Sequence, residues 1–309
     1  MISYIRDFLC FNMKIFITGA NGLVGQNAVR QFTTAGYDVT AAGRGSCRLP
    51  QGDIPFRYIS LDNTHRDEVW AAVVDVAPEV IVHAAAMSQP DACELNRAEC
   101  DDCNVNATRY FTEAAIAVNA RMIYISTDFI FNGEDGPYKE TDQPAPVNYY
   151  GQSKWQGEQI VLQSSVRWAI VRTVLVYGNI LSGTRSNIIT WIKENLEKEN
   201  PIKVVSDQLR TPTYVEDLVG GIQLIIEKNA EGIYHISGKE VLTPYDMAVC
   251  VANYFGLDKT LMEKVDASVF TQPARRPLKT GFIIDKAEKE LGYSPIGFME
   301  GIRKMFPLL

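Results

Sequence analysis

Short runs of β-branched and aromatic residues punctuate the first half of this chain, separated by stretches whose apolar positions recur every three or four residues. Met13–Thr18 is such a run and reads as a strand. Gly22 to Ala35 follows with apolar residues at Leu23, Val24, Ala28, Val29 and Phe32, one face of a helix that Gly36 can stop. Asp38–Ala42 reads as the second strand. Thr64 to Val74 reads as a helix, with Thr64 as candidate cap ahead of acidic residues. Val80–His83 has the continuous apolar character of a buried strand, and Cys100 to Val118 that of a long helix. Arg121–Ser126 is a further strand, followed by a loop rich in Gly, Pro and Asp up to Asn148. Ser153–Leu162 then reads as helix and Trp168–Val174 as strand.

Strands alternating with helices imply a parallel sheet with right-handed crossovers. The expected fold is therefore α/β, a doubly wound parallel Rossmann sheet. After Tyr177 the pattern loosens. Asn187–Asn195, Val215–Glu227, Pro244–Phe255 and Asp285–Leu291 read as helices, with short strands at Ile202–Val205 and Ile233–Ile236. This is the pattern of a smaller, mixed α/β region. The expected division is 13–176, with parts of 205–240, for a dinucleotide-binding domain, and mainly 177–309 for a substrate-binding region. Residues 1–12 read either as an upstream extension or as a short surface helix.

Composition narrows the function classes. Of 309 residues, 46% are hydrophobic and 22% charged, as in ordinary globular proteins. A net charge of −7 without a basic stripe argues against a nucleic-acid partner, because phosphate contact needs a basic face. No apolar stretch is long enough to span a bilayer, and no small-residue cleavage site follows the N-terminus, so neither membrane nor signal peptide is expected. Cys100-Asp-Asp-Cys103 has a metal-like spacing, but no second pair or nearby histidine completes a zinc set. The six cysteines are therefore expected as reduced thiols, in a cytoplasmic protein, with no metal.

Gly19-x-x-Gly22-x-x-Gly25 falls between a strand and a helix. Glycine there permits a tight turn, close approach of a pyrophosphate to the backbone, and close helix–strand packing. The helix N-terminus offers amide donors and a positive dipole end to the anion. Asn21, Leu23 and Val24 belong to the same turn. NAD enzymes usually carry an acid at the end of the second strand. Here Ala41-Ala-Gly-Arg44-Gly-Ser-Cys-Arg48 has none, and Arg44 can hold a 2′-phosphate and stack on adenine. The expected cofactor is NADP(H) rather than NAD(H). Asp62 is a candidate acceptor for the adenine amino group. Ala84, Ala85 and Ala86 let the backbone lie against ribose and diphosphate, whereas His83 reads as a packed strand-end residue.

Tyr150 and Lys154 stand one helical turn apart and so share a face. A free tyrosine has a pKa of about 10 and is a poor acid–base near neutrality. An ammonium beside it, with an oxidised nicotinamide, is expected to stabilise the phenolate. Lys154 can also hold the nicotinamide ribose. Thr127, after the Arg121–Ser126 strand, can donate to a substrate oxygen. The nicotinamide carries the hydride while the protein positions and polarises.

From Met13 to near Ile302 the chain resembles the extended short-chain dehydrogenase/reductases, and within them the dTDP-4-dehydrorhamnose reductase group. The resemblance is carried by Thr18-Gly-Ala-Asn-Gly-Leu-Val-Gly-Gln26, Val82-His-Ala-Ala-Ala86, Asn104-Val-Asn-Ala-Thr108, Ser126-Thr-Asp-Phe-Ile-Phe-Asn-Gly133, Pro146 to Glu158, Arg172-Thr173, Arg210 to Leu218 and Gly232 to Gly238. It implies Thr127, Tyr150 and Lys154 as a catalytic set, with Asn104 supporting them. It also implies NADPH as donor and a nucleotide-linked 4-keto sugar as substrate. Rhamnose-forming members tend to carry a tryptophan after the Arg-Thr strand; this chain has Leu175. A regulatory subunit of methionine adenosyltransferase shares the fold and binds NADP, and nucleotide-sugar epimerases and dehydratases are further alternatives. Some relatives dimerise, which makes a homodimer compatible with the chain.

Overall fold

The structure, a computed structural model, describes residues 13–50, 52, 55–183 and 187–307. Residues 1–12 lie outside the described residues, as do both readings of them. Strand β1 (Lys14–Thr18) leads into helix α1 (Leu23–Thr34), then β2 (Asp38–Gly43), β3 (Arg57–Ser60), α2 (Arg66–Val76) and β4 (Val80–His83). Helices α3 (Pro90–Leu95), α4 (Arg97–Asp101) and α5 (Ala107–Ala117) come next, the last two joined by a π-helical turn at Asp102–Asn106. Then follow β5 (Arg121–Thr127), α6 (Tyr149–Leu162), β6 (Arg167–Thr173), β7 (Val176–Tyr177), α7 (Ile188–Glu197), β8 (Ile202–Val205), β9 (Thr213–Tyr214), α8 (Val215–Glu227), β10 (Gly232–His235), α9 (Pro244–Phe255), β11 (Met262–Val265) and α10 (Phe298–Met305).

Seven strands form one parallel sheet in the order β10-β6-β5-β4-β1-β2-β3. The chain runs outward from β1 to one edge, returns to β4, and runs outward again. That reversal makes the sheet doubly wound and leaves a crevice at the strand C-termini. Alternation along each strand feeds two apolar layers. Ile15, Ile17 and Ile123 face α1 and α8; Phe16, Met122 and Tyr124 face α2, α5 and α6. A separate core holds α7, α9, α10, β8 and β11, around Ile192, Met247, Val251, Ile302 and Met305. Among the described residues no helix is long and apolar enough to cross a membrane. Cys47, Cys93, Cys100, Cys103 and Cys250 are free thiols.

Three boundaries differ from expectation for local reasons. The helix expected from Thr64 starts at Arg66, because Thr64 turns back and both its N–H (3.0 Å) and its hydroxyl (2.8 Å) bond the Asp62 carboxylate. The helix expected from Ser153 starts at Tyr149, because Asn148 caps it by accepting from Gly151 N at 2.8 Å. The single long helix expected from Cys100 is interrupted by the π-helical turn.

Candidate active site

One cleft of about 1270 Å³ runs along the C-terminal ends of the sheet strands and is closed on its far side by residues of β7, α7 and the segment before β9. At its first end, Gly19 has φ +68°, a conformation that costs glycine little, and Gly22 N donates to Gly19 O at 2.9 Å. A Cβ at Gly25 would lie 2.2 Å from Gly19 O, so the helix and the turn touch through backbone alone. α1 carries no side-chain cap, and Gly22, Leu23, Val24 and Gly25 all line the cleft. First-turn amides have no acceptor within their own helix. They therefore face the cleft as donors for an anion.

Asn21 ties this turn to the loop after β2. Its Nδ2 donates to Arg44 O, Ser46 O and Tyr58 Oη, and its Oδ1 accepts from Arg48 N at 2.9 Å. Arg44 and Arg48 line the cleft, and the side chain of Arg44 is 66% exposed. Asp62 stands behind it, outside the lining. Thr64 holds the Asp62 carboxyl below its ordinary range, and Arg44 Nε lies 3.5 Å from its second oxygen. Ala84, Ala85 and Ala86 line the middle of the cleft. His83 is buried between the hydroxyls of Thr18 (2.9 Å) and Thr108 (3.3 Å), and burial pushes its pKa down to about 3. It is a neutral packing residue, as expected.

Asn104 sits in the π-helical turn, again outside the lining. It accepts from Met87 N (2.7 Å) and donates to Met87 O (3.0 Å) and Ser153 Oγ (2.9 Å). It thereby fastens the loop after β4 to α6. The wider turn lets one side chain reach both elements, a placement common at functional sites.

Thr127, Tyr150 and Lys154 meet in the same cleft. Thr127 ends β5, and Tyr150 and Lys154 lie on the face of α6 turned toward it. The Tyr150 ring packs edge-on against Phe129, centroids 5.8 Å apart. The Lys154 ammonium lies 4.1 Å from the ring centre of buried Tyr124. Burial lowers the Lys154 pKa to about 7, against the opposing pull of Glu158. The expected lowering of the Tyr150 pKa calls on Lys154 together with an oxidised nicotinamide; the protein's own groups act in the opposite direction. Burial raises it, the Thr127 hydroxyl only partly counters this, and the nearby Asp128 adds to the rise. Tyr150 is therefore held as a phenol.

Asp128 is also buried. Its Oδ1 accepts from Thr127 Oγ1 at 3.1 Å, its Oδ2 accepts from Thr280, and Arg210 Nε lies 3.9 Å away. Behind α6, Arg172 and Glu158 form a buried two-pronged ion pair with bonds of 3.0 and 2.7 Å. Leu175, the departure noted from the sequence, lines the cleft with φ +35°. The adjoining β7–β9 pairing, Val176 with Thr213, holds that strained backbone.

Sequence reasoning missed several lining residues of the far end, including Trp191, Gln208 and Arg276. Arg276 belongs to the segment ahead of Thr280 and is held by Asp91 through bonds of 2.5 and 2.6 Å. No motif marks these residues, since the elements that bear them carry only general helical or loop character.

The family model described as "RmlD substrate binding domain" matches residues 13–308. Methionine adenosyltransferase 2 subunit beta of Xenopus tropicalis is 31% identical over 304 residues, covering 96% of this chain and 88% of that protein. The dTDP-4-dehydrorhamnose reductase of Aggregatibacter actinomycetemcomitans is 28% identical over 305 residues, covering 94% and 98%. Among solved structures, the dTDP-4-dehydrorhamnose reductase of Bacillus anthracis in complex with NADP superposes with a TM-score of 0.84 at 28% identity, covering 96% of this chain and 99% of that one.

Proposed function

The chain belongs to the RmlD substrate binding domain family, and on that footing we propose that it is an NADP-dependent reductase of a nucleotide-linked 4-keto sugar, similar to dTDP-4-dehydrorhamnose reductase. The observation that carries the reading is the meeting of Thr127, Tyr150 and Lys154 in one cleft with an uncapped glycine turn. The residues present fit a dinucleotide. The first-turn amides of α1 would take its pyrophosphate, the backbone of Ala84, Ala85 and Ala86 its ribose, and Arg44 and Arg48 a 2′-phosphate, where no acid competes at the end of β2. NADPH, when bound, supplies the hydride.

Within this reading Tyr150 gives its proton to the oxygen that becomes the new hydroxyl. A phenol held protonated by burial suits that direction. Lys154 supplies positive charge beside the phenolate left behind, and Asn104 positions the loop after β4 against α6. Residues 13–176, with parts of 205–240, would bind the cofactor. Residues 177–309 would mainly bind the nucleotide sugar, with Leu175 in place of an aromatic against the sugar.

Tyr150→Phe tests the assignment. It is expected to lower kcat by at least about 100-fold, the usual scale of a lost proton donor, while the NADPH dissociation constant stays within about twofold. An undiminished rate refutes it.

A second reading is favoured by the relatives named methionine adenosyltransferase 2 subunit beta, which reach 31% identity. In it the chain binds NADP as a regulatory subunit without turnover. NADPH consumption on a panel of 4-keto nucleotide sugars separates the two. Tight NADPH binding, no turnover on any sugar, and co-purification with a methionine adenosyltransferase catalytic subunit would select the regulatory role.

A further inference from the structure

Threonine has one hydroxyl proton, and at Thr127 two acceptors compete for it. In the structure Thr127 Oγ1 donates to Asp128 Oδ1 at 3.1 Å and accepts from Phe129 N at 3.3 Å. The reductase reading, on which this inference rests, needs the same proton on the substrate carbonyl. Asp128 lines the cleft and is 3% exposed. Its Oδ2 accepts from the Thr280 hydroxyl, and the Arg210 guanidinium, both from the C-terminal region, pairs with it as an ion at 3.9 Å. Arg210 is fixed in turn, because its Nη1 and Nη2 donate to the carbonyls of Leu209, Leu278 and Pro277. The carboxyl therefore cannot swing away, and only its Oδ1 is turned to Thr127.

The geometry points to Asp128 as a positioning residue that sets the polarity of the Thr127 hydroxyl: a carboxylate holds the threonine proton, whereas a carboxylic acid donates to Thr127 Oγ1 and turns that proton toward the substrate. With Asp128 protonated, Thr127 Oγ1 accepts from Asp128 and from Phe129 N, and its single proton is left for the cleft, where the Tyr150 oxygen and the substrate carbonyl can take it. The change is a rotation about the Cβ–Oγ bond plus one proton taken up by Asp128 from solvent. Tyr150 remains the source of the proton that ends on the product. The charged and titratable groups acting on Asp128 are Arg210, from the segment before β9, and Tyr150, from α6; Asp207 acts on Arg210. Burial raises the Asp128 pKa, while Arg210, Thr280 and Thr127 oppose the rise.

Asp128→Asn mimics the acid. Arg210 and Thr280 are donors and will hold the amide oxygen, which leaves the amide NH₂ pointing at Thr127. With dTDP-4-dehydrorhamnose and saturating NADPH, the wild-type kcat is expected to fall as pH rises through the Asp128 titration. The kcat of D128N should be independent of pH over that range, with NADPH affinity within about twofold of wild type. A wild-type pH limb retained in D128N overturns the inference, as does an equal loss of kcat at every pH.

A second arm needs no turnover. The Asp128 carboxyl is titrated in the cofactor-free protein by ¹³C NMR, in wild type and in Thr127→Val. The threonine hydroxyl bonds both forms but bonds the carboxylate more strongly, through a charge-assisted hydrogen bond, so its loss should raise the Asp128 proton affinity roughly fivefold, the difference between a charged and a neutral hydrogen bond of about 1 kcal/mol. No change overturns the inference even if the protein reduces no sugar. Absent turnover with a shifted titration would instead fault the reductase reading.

Discussion

Lys154→Met is expected to stabilise the cofactor-free protein while ending its turnover. Lys154 is 3% exposed, and burial lowers its pKa from 10.5 to about 7. At about 1.4 kcal/mol per tenfold change in proton affinity, that drop corresponds to a cost of about 5 kcal/mol for keeping the ammonium in the fold. Methionine is of similar length and carries no charge. It forfeits the ammonium's place over the Tyr124 ring, worth about 1–2 kcal/mol. The net gain is then about 3 kcal/mol, or roughly 5 °C in Tm for a chain of this size.

The sign follows from proton binding. Below pH 7 the lysine is charged in both folded and unfolded chains, and the full cost is present. Between about 7 and 10.5 the folded chain prefers the neutral amine while the unfolded chain still binds the proton, so wild-type stability rises with pH. Above 10.5 both are neutral and the cost is gone. Urea unfolding of wild type and K154M at pH 6 and at pH 9.5 should therefore show a large advantage for the variant at the lower pH and a much smaller one at the higher. A variant less stable at pH 6, or an advantage that does not change with pH, refutes the argument.

Arg44→Ala should weaken NADPH roughly tenfold, the scale of one exposed charge-assisted contact, and leave NADH nearly unchanged; fluorescence titration of both nucleotides checks it, and equal losses would assign Arg44 no phosphate role. Glu158→Gln strips the partner from Arg172, whose side chain is 2% exposed, and should cost about 3–5 kcal/mol of unfolding free energy. A cost under 1 kcal/mol in urea unfolding would mean that Glu140 O and the Phe131 ring suffice for that guanidinium. Gly25→Ala places a Cβ 2.2 Å from Gly19 O and 2.7 Å from Ala20 Cα. The turn must then open, and NADPH binding by calorimetry should be lost; retained affinity would show that the turn has slack.

The central sheet was legible because most of its strands are buried on both faces. Val80–His83 and the strand expected at Arg121–Ser126 have almost no solvent side, so their centres, Val80–Val82 and Met122–Ile125, read as continuous apolar runs. β3, at the sheet edge, is only partly buried, and its apolar run is correspondingly short. The C-terminal core was harder to see. β7 and β9 are two residues each, and β11 exposes Glu263 and Lys264 between Met262 and Val265. α10 did carry a signal, with Phe298, Ile302 and Met305 at helical spacing, but it is only eight residues long.

The cleft shows a different division. The order of motifs along the chain was enough to bring the glycine turn, Thr127, Tyr150 and Lys154 together, because each follows a strand of the same parallel sheet and every such strand ends on one side. Their ionisation was not legible. Four residues of separation place Lys154 beside Tyr150, which favours a phenolate if the pair is wet. In the folded protein Lys154 is buried over Tyr124 and Tyr150 is half-buried against Phe129, and desolvation then disfavours charge on both groups at once. The pair therefore moves toward a neutral phenol and a weakly held ammonium proton. A phenol next to a lysine of pKa about 7 can give up its proton to an alkoxide. In the proposed reductase reading the phenolate so formed would raise the lysine's hold on its own proton, a mutual dependence that favours proton donation by Tyr150.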